Sequence, residues 1–253
     1  MLACALFAAL GFLVFSYLTN AGCSNIQRSA ACTHILFVGN SYTFVNDLPH
    51  MFAALAKAGR HTVEVGMAAE GGWTLSDHAG SPQTLNTLQS SKWDFVILQE
   101  QSQLPSLEPY RTASMYPAAR LLVGRIQATG ATPLFFLTWA HRDGWPEHDL
   151  NSYERMQFQI TQGYVGISQE LAVHIAPVGE AWRVARRQQP TLDLWQADGS
   201  HPNEQGTYLA ACVFYATIFH QSPEELTYTA DLPNETAHLL QTIAATVVLK
   251  NPK

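Results

Sequence analysis

A chain of 253 residues and 27.9 kDa, 47% hydrophobic and 13% charged, carries enough apolar material for one large packed core, which excludes intrinsic disorder. Fourteen Lys and Arg against twenty Asp and Glu leave a formal net charge of -6, so no phosphate-neutralising surface is announced and no nucleic-acid partner is expected. Neither an internal repeat nor a long heptad run is present, so one globular domain is the expectation.

The first residues stand apart. Met1 to Gln27 holds no charged side chain and Leu2 to Leu18 is a nearly unbroken apolar run, the pattern of a leader outside the fold. It closes on Ala21-Gly22-Cys23, which resembles a bacterial lipoprotein signal whose cysteine is acylated after cleavage. Two features depart from that pattern: no Lys or Arg precedes the run, and Asn20 stands three residues before the cysteine. An uncleaved membrane anchor is the competing reading, at the short edge of the roughly 17 to 25 residues a span needs. The expected organisation is residues 1–22 as signal or anchor and residues 33–250 as the folded domain. The expected location is the bacterial cell envelope, lipid-anchored through Cys23, or outside the cell by secretion, with the membrane reached only through that N-terminal lipid or anchor. With Cys4 in the leader and Cys23 carrying lipid, Cys32 and Cys212 are left either to pair or to lie as two buried thiols. No cysteine or histidine spacing suggests a zinc site.

From Thr33 onward short apolar runs alternate with longer helical patterns, the signature of a parallel sheet flanked by helices. The strands are expected at His34 to Val38, Thr62 to Val65, Asp94 to Leu98, Leu134 to Trp139 and His174 to Ala176, with continuous hydrophobicity that implies burial on both faces. Helices are expected at Leu48 to Ala58, Ala113 to Ala128, Tyr153 to Leu171, Glu204 to Phe219 and Asn234 to Leu249. Gly59, Gly130 and Pro133 punctuate the intervals as breakers, and the polar segment His141 to Leu150 reads as a loop able to reach over a site.

Ligands in open parallel sheets bind at the carboxyl ends of the strands, so the residues just beyond each strand are the candidates. These are Gly39-Asn40-Ser41-Tyr42, Glu70-Gly71-Gly72-Trp73-Thr74 and Gln99-Glu100-Gln101-Ser102. A serine hydroxyl needs a base to take its proton and a third group to hold that base in the right tautomer. Ser41 follows a strand and a tight turn and precedes a helix, a placement suited to a nucleophile and equally to a helix N-cap. Asp198-Gly199-Ser200-His201-Pro202 sets a carboxylate three residues before a histidine, close enough to accept its Nδ1 proton.

Taken together these blocks resemble the SGNH (GDSL-type) hydrolase family. Gly39-Asn40-Ser41 stands where that family has Gly-Asp-Ser, and Asp198 to Pro202 fits its terminal Asp-x-x-His block. Gly71-Gly72-Trp73-Thr74 falls where a glycine N–H meets the oxyanion. The resemblance implies a three-layer α/β/α fold with a central five-stranded parallel sheet, flavodoxin-like, and a Ser-His-Asp triad of Ser41, His201 and Asp198. It also implies an oxyanion hole from the N–H groups of Ser41 and Gly72, with Gly71 as the alternative if the register shifts. The family's Gly-x-Asn-Asp block is replaced by Gln99-Glu100-Gln101-Ser102, so Gln101 is the expected third oxyanion donor and Gln99 the second candidate. Asn40, Trp73, Gln99 and Trp145 are the expected substrate contacts. No metal and no organic cofactor is implied.

Other patterns carry less. His141, Asp143, His148 and Asp149 read as a polar loop before a metal cluster, position 43 is Thr where the nucleophile elbow of the α/β-hydrolases has Gly, and Glu70 with Glu100 could only with difficulty be paired acids of a glycosidase. The function expected is a serine carboxylic ester hydrolase acting through an acyl-enzyme on a small-molecule or polysaccharide ester, with carbohydrate O-deacetylation in view. The rivals are a non-catalytic glycan-binding surface module and an O-acyltransferase with the same triad.

Overall fold

The computed structural model describes residues 15–18 and 32–250. Its strands are β1 (Phe15–Leu18), β2 (Thr33–Gly39), β3 (Val63–Ala69), β4 (Phe95–Leu98), β5 (Thr132–Phe136) and β6 (His174–Ala176). The helices are α1 (Ser41–Phe44), α2 (Leu48–Ala58), α3 (Leu75–Gly80), α4 (Pro82–Ser90), α5 (Glu108–Tyr110), α6 (Tyr116–Ala128), α7 (Tyr153–Leu171), α8 (Val178–Gln188), α9 (Glu204–Phe219) and α10 (Asn234–Leu249).

One sheet runs in the order β1-β3-β2-β4-β5-β6, and β2 to β6 are all parallel. Ile35, Leu36, Phe37 and Val38 are sealed from solvent because β2 is central in the sheet and covered on both faces, as its unbroken apolar run implies. On one side α2 packs on α9, and α9 on α8 and α10; on the other α6 packs on α3 and α7. Each large aliphatic or aromatic side chain so buried contributes roughly 1.5–3 kcal/mol. The expected α/β architecture with five parallel strands is therefore present.

The structure corrects two expectations and decides one alternative left open. Phe15–Leu18, placed outside the fold on the strength of its apolar run, pairs antiparallel with β3, Phe15 opposite Ala69 and Leu18 opposite Gly66. The outer edge of β3 presents unpaired backbone groups, and a short extended segment satisfies them. The rest of residues 1–22, together with Cys23, lies outside the described residues. Cys32 and Cys212 do not pair, because Cys212 is a free thiol buried inside α9. Finally β5 begins at Thr132 and takes in Pro133. Thr132 N–H bonds to the Asp94 carbonyl, so the next residue faces the β6 side, where pairing starts only at Leu134; the missing proline N–H therefore costs no ladder bond. No helix among the described residues is long and apolar enough to cross a membrane.

Gly179, in the first turn of α8, donates to the Leu137 carbonyl at 2.8 Å, and a Cβ there would run into the Thr138 carbonyl and the Gln157 side-chain amide. Gly179→Ala should therefore destabilise the protein by about 1–3 kcal/mol, read as a lower urea midpoint with unchanged slope; an unchanged midpoint would show that α8 can slide without penalty.

Candidate active site

The chain leaves β2 toward β3 on one side and later fills β4, β5 and β6 on the other, so the direction of sheet growth reverses between β2 and β4. That switch point is where α/β sheets open a crevice at their carboxyl ends. Ser41 follows β2 there, and Gln99 to Ser102 follow β4.

Asn40, not Ser41, is the N-cap of α1: its Oδ1 accepts the Tyr42 N–H at 3.1 Å. Ser41 is thereby the first helical residue, with its hydroxyl free for another partner. The turn is held from behind by a reciprocal amide pair. Asn40 N–H donates to Gln99 Oε1 at 2.8 Å, Gln99 Nε2 donates to Asn40 Oδ1 at 2.9 Å, and the Thr43 hydroxyl also donates to Gln99 Oε1 at 2.9 Å. Gln99 Nε2 additionally donates to the Glu100 carbonyl, and Asn40 Nδ2 to the Trp73 carbonyl at 2.8 Å.

Ser41, His201 and Asp198 come together in one line. Ser41 Oγ is 2.9 Å from His201 Nε2, and His201 Nδ1 is 2.5 Å from Asp198 Oδ2. A carboxylate only accepts, so Nδ1 carries the proton and Nε2 is left to accept from the serine hydroxyl. The other oxygen, Asp198 Oδ1, accepts the N–H groups of Ser200 at 2.9 Å and His201 at 3.0 Å. Partial burial pushes the Asp198 carboxyl up, but the His201 ring and these two backbone donors outweigh it and hold it below the usual carboxylate value.

The segment after β3 is a tight turn in which Trp73 N–H reaches the Glu70 carbonyl at 3.2 Å. Gly72 stands at its third position with φ 75°, the left-handed conformation that a type II turn asks of glycine. Glu100, 0% exposed, binds this loop to the next: Oε1 accepts Leu75 N–H at 3.1 Å and Gln101 N–H at 2.7 Å. Burial pushes its carboxyl up to about 7, against the pull of those two donors. Gln101 Oε1 accepts the N–H groups of Gln103 at 2.7 Å and Leu104 at 3.2 Å, which leaves the Nε2 end with only a 3.5 Å contact to Gln103 Oε1.

Two expected substrate contacts are corrected. Gln99 is 0% and Asn40 2% exposed, and their polar atoms are committed to the turn, so neither can touch a ligand; they shape the site instead. Trp73 is half-buried with its ring edge-on to His78, beside the nucleophile turn. Trp145 is half-buried and lies against His148 within its own loop, where it bridges Leu150. No metal-binding group of histidines, cysteines and carboxylates occurs among the described residues.

Sequence reasoning missed a hydroxyl and imidazole chain beside the triad. Tyr42 OH is 2.8 Å from Ser200 Oγ, Ser200 Oγ is 3.1 Å from His141 Nε2, and that nitrogen is 3.4 Å from Ser102 Oγ. Burial raises the Tyr42 phenol and lowers the His141 imidazole. Below these groups Tyr42 stacks on Trp139 at 4.5 Å and Trp139 on Trp182 at 4.1 Å, while Trp139 Nε1 donates to the Ser200 carbonyl at 3.0 Å. His78 was missed too. Its Nε2 is 2.8 Å from the Gly39 carbonyl and its Nδ1 2.9 Å from Thr84 Oγ1, and burial lowers it to about 4. It is thus a neutral ring that donates to the end of β2. The alternation of small and polar residues after each strand was the available signal for these partners.

No protein-family model matches the chain, and no curated protein matches it in sequence. Solved structures do. A candidate SGNH hydrolase from Slackia heliotrinireducens is 29% identical with a TM-score of 0.63, over 74% of this chain and 100% of that one. A DUF4886 family protein from Bacteroides uniformis is 21% identical with a TM-score of 0.75, over 88% and 97%. A catalytic mutant of an acetylxylan esterase from Geobacillus stearothermophilus shares the fold at 14% identity and a TM-score of 0.57, over 75% and 95%. The chain shares its α/β fold with these proteins, and the solved structures it is similar to include an SGNH hydrolase, the family its sequence blocks resemble.

Proposed function

We propose that the chain is a serine carboxylic ester hydrolase that removes a small acyl group, an O-acetyl group of a carbohydrate being the substrate the reading favours. One observation carries it: the continuous line from Ser41 Oγ through His201 to Asp198 at 2.9 and 2.5 Å. In the proposed reaction Ser41 Oγ attacks the ester carbonyl while His201 Nε2 takes its proton. The same proton then goes to the departing alkoxide, leaving an acyl-enzyme that water cleaves by the reverse sequence. Asp198 keeps the proton on Nδ1 and stabilises the imidazolium. The N–H groups of Ser41 and Gly72 and the Gln101 amide are the proposed oxyanion donors. For Gln101, the two backbone bonds to Oε1 fix the amide plane and leave Nε2 available without reorganisation. The acetylxylan esterase among the structural neighbours favours a polysaccharide as substrate.

The test is nitrophenol release from nitrophenyl acetate by the full chain. Ser41→Ala should lower turnover at least about 10³-fold with the thermal midpoint retained; equal activity in both proteins would refute the assignment. Analysis of the products with an acceptor sugar present separates hydrolysis from acyl transfer. Gln101→Ala should lower kcat about 10²- to 10³-fold with little change in KM, and an unchanged kcat would remove Gln101 from the oxyanion hole. The His201 ring and two backbone donors hold Asp198 below the usual carboxylate value, so it orients His201 as a carboxylate; Asp198→Asn should lower kcat about 10⁴-fold by allowing the wrong ring tautomer, and an unchanged kcat would exclude that role.

A further inference from the structure

Beyond the loop that carries Asp198 and His201 lies a cavity of about 360 Å³ lined by Arg142, Arg186, Leu192, Asp193 and Trp195 among others. It shares a wall with the proposed catalytic loop: Arg142 N–H donates to the Gly199 carbonyl at 2.8 Å and Arg142 Nη2 to the Gln196 carbonyl at 3.0 Å. Among Arg142 and the three arginines of α8, all but one are matched with carboxylates. Arg183 bonds Glu180, Arg187 bonds Glu154 at 3.1 Å, and Arg142 bonds Asp193 at 2.8 and 3.0 Å. Arg186 makes no ion pair or hydrogen bond among the described residues. Its guanidinium lies over Tyr153 at 4.4 Å and Trp195 at 4.9 Å, which holds the planar group in place with its N–H donors unused.

We infer that this cavity is a subsite for the carboxylate of an acidic sugar, engaged by Arg186, so that the preferred substrate is an ester of a uronic-acid-containing glycan. The inference rests on the esterase reading for its substrate class. Two guanidiniums and one carboxylate leave one positive charge in the cavity, which matches a singly charged carboxylate and not a doubly charged phosphate. A planar guanidinium with free donors takes a carboxylate in the two-pronged geometry that fixes orientation as well as charge. The volume accommodates one sugar ring, and the shared wall at Gly199 puts that ring next to the triad loop.

Binding in a Ser41→Ala background, where no turnover intervenes, tests it. Trigalacturonate should bind at least about tenfold more tightly than neutral xylotriose by titration calorimetry, and the preference should weaken with added salt. Adding Arg186→Gln should abolish the preference, whereas the same substitution in the otherwise unaltered chain should leave nitrophenyl acetate turnover unchanged. Monomeric galacturonate should displace trigalacturonate better than inorganic phosphate at equal ionic strength. Equal binding of the two oligosaccharides, no binding of trigalacturonate, a preference that survives Arg186→Gln, or better displacement by phosphate would each overturn the inference. Activity of the unaltered chain on nitrophenyl acetate judges the esterase reading separately.

Discussion

The Asn40 and Gln99 pair is the constraint on which the rest of the site depends. Each residue donates to and accepts from the other across the ends of β2 and β4, in a place sealed from water. Buried amides are costly unless every donor and acceptor is matched, so this geometry has few alternatives once the sheet has formed. Everything near Ser41 is referred to it: Thr43 from α1, Trp73 from the turn after β3, and Glu100 one residue along the chain. Glu100 then repeats the principle one layer out, with a single oxygen joining the loop that starts α3 to the loop that carries Gln101.

The acid and base are positioned differently. Asp198 is largely solvent-facing, and its proximity to His201 is local, made by a turn in which one carboxylate oxygen binds two backbone N–H groups and the other binds the ring. Such a turn could drift as a unit. It is fastened at several points: the Ser200 carbonyl to Trp139, the Ser200 hydroxyl to Tyr42, the Gly199 carbonyl to Arg142 and the Pro202 carbonyl to Asn46 at 3.0 Å. The nucleophile is thus held by buried amides, and its base by attachment of a surface loop to the aromatic core.

Much of this was legible because it depends on pattern. The sequence reading places α2, α7, α9, α10 and β6 at their observed bounds, since their apolar spacing and flanking breakers agree. It overlooks α8, whose buried side of Val178, Gly179, Ala181, Trp182 and Ala185 is interleaved with Glu180, Arg183, Arg186 and Arg187, so the segment as a whole reads as polar. It also overlooks α3 and α4, polar surface helices announced only by their caps, Thr74 with Asp77 and Ser81 before Pro82. β3 runs on past Val65 through Gly66, where a side chain would run into the Trp93 ring, a contact no local pattern reveals. Within the site, residue types and chain order point to Ser41, Asp198 and His201. The direction of an amide does not show in a string of letters, so Gln99 and Gln101 could be told apart only by their hydrogen bonds. His141 meets Ser102 and Ser200 across 39 and 59 positions of chain, and such meetings are products of topology.

The column of Tyr42, Trp139 and Trp182 has an optical consequence. Two indoles lying 4.1 Å apart and within 3° of parallel couple their electronic transitions, and the phenol at the next level extends the column to the residue beside the nucleophile. The near-ultraviolet dichroism of the folded protein therefore carries a contribution from a chromophore built beneath the site, tied by the Trp139 Nε1 bond to the loop bearing Asp198 and His201.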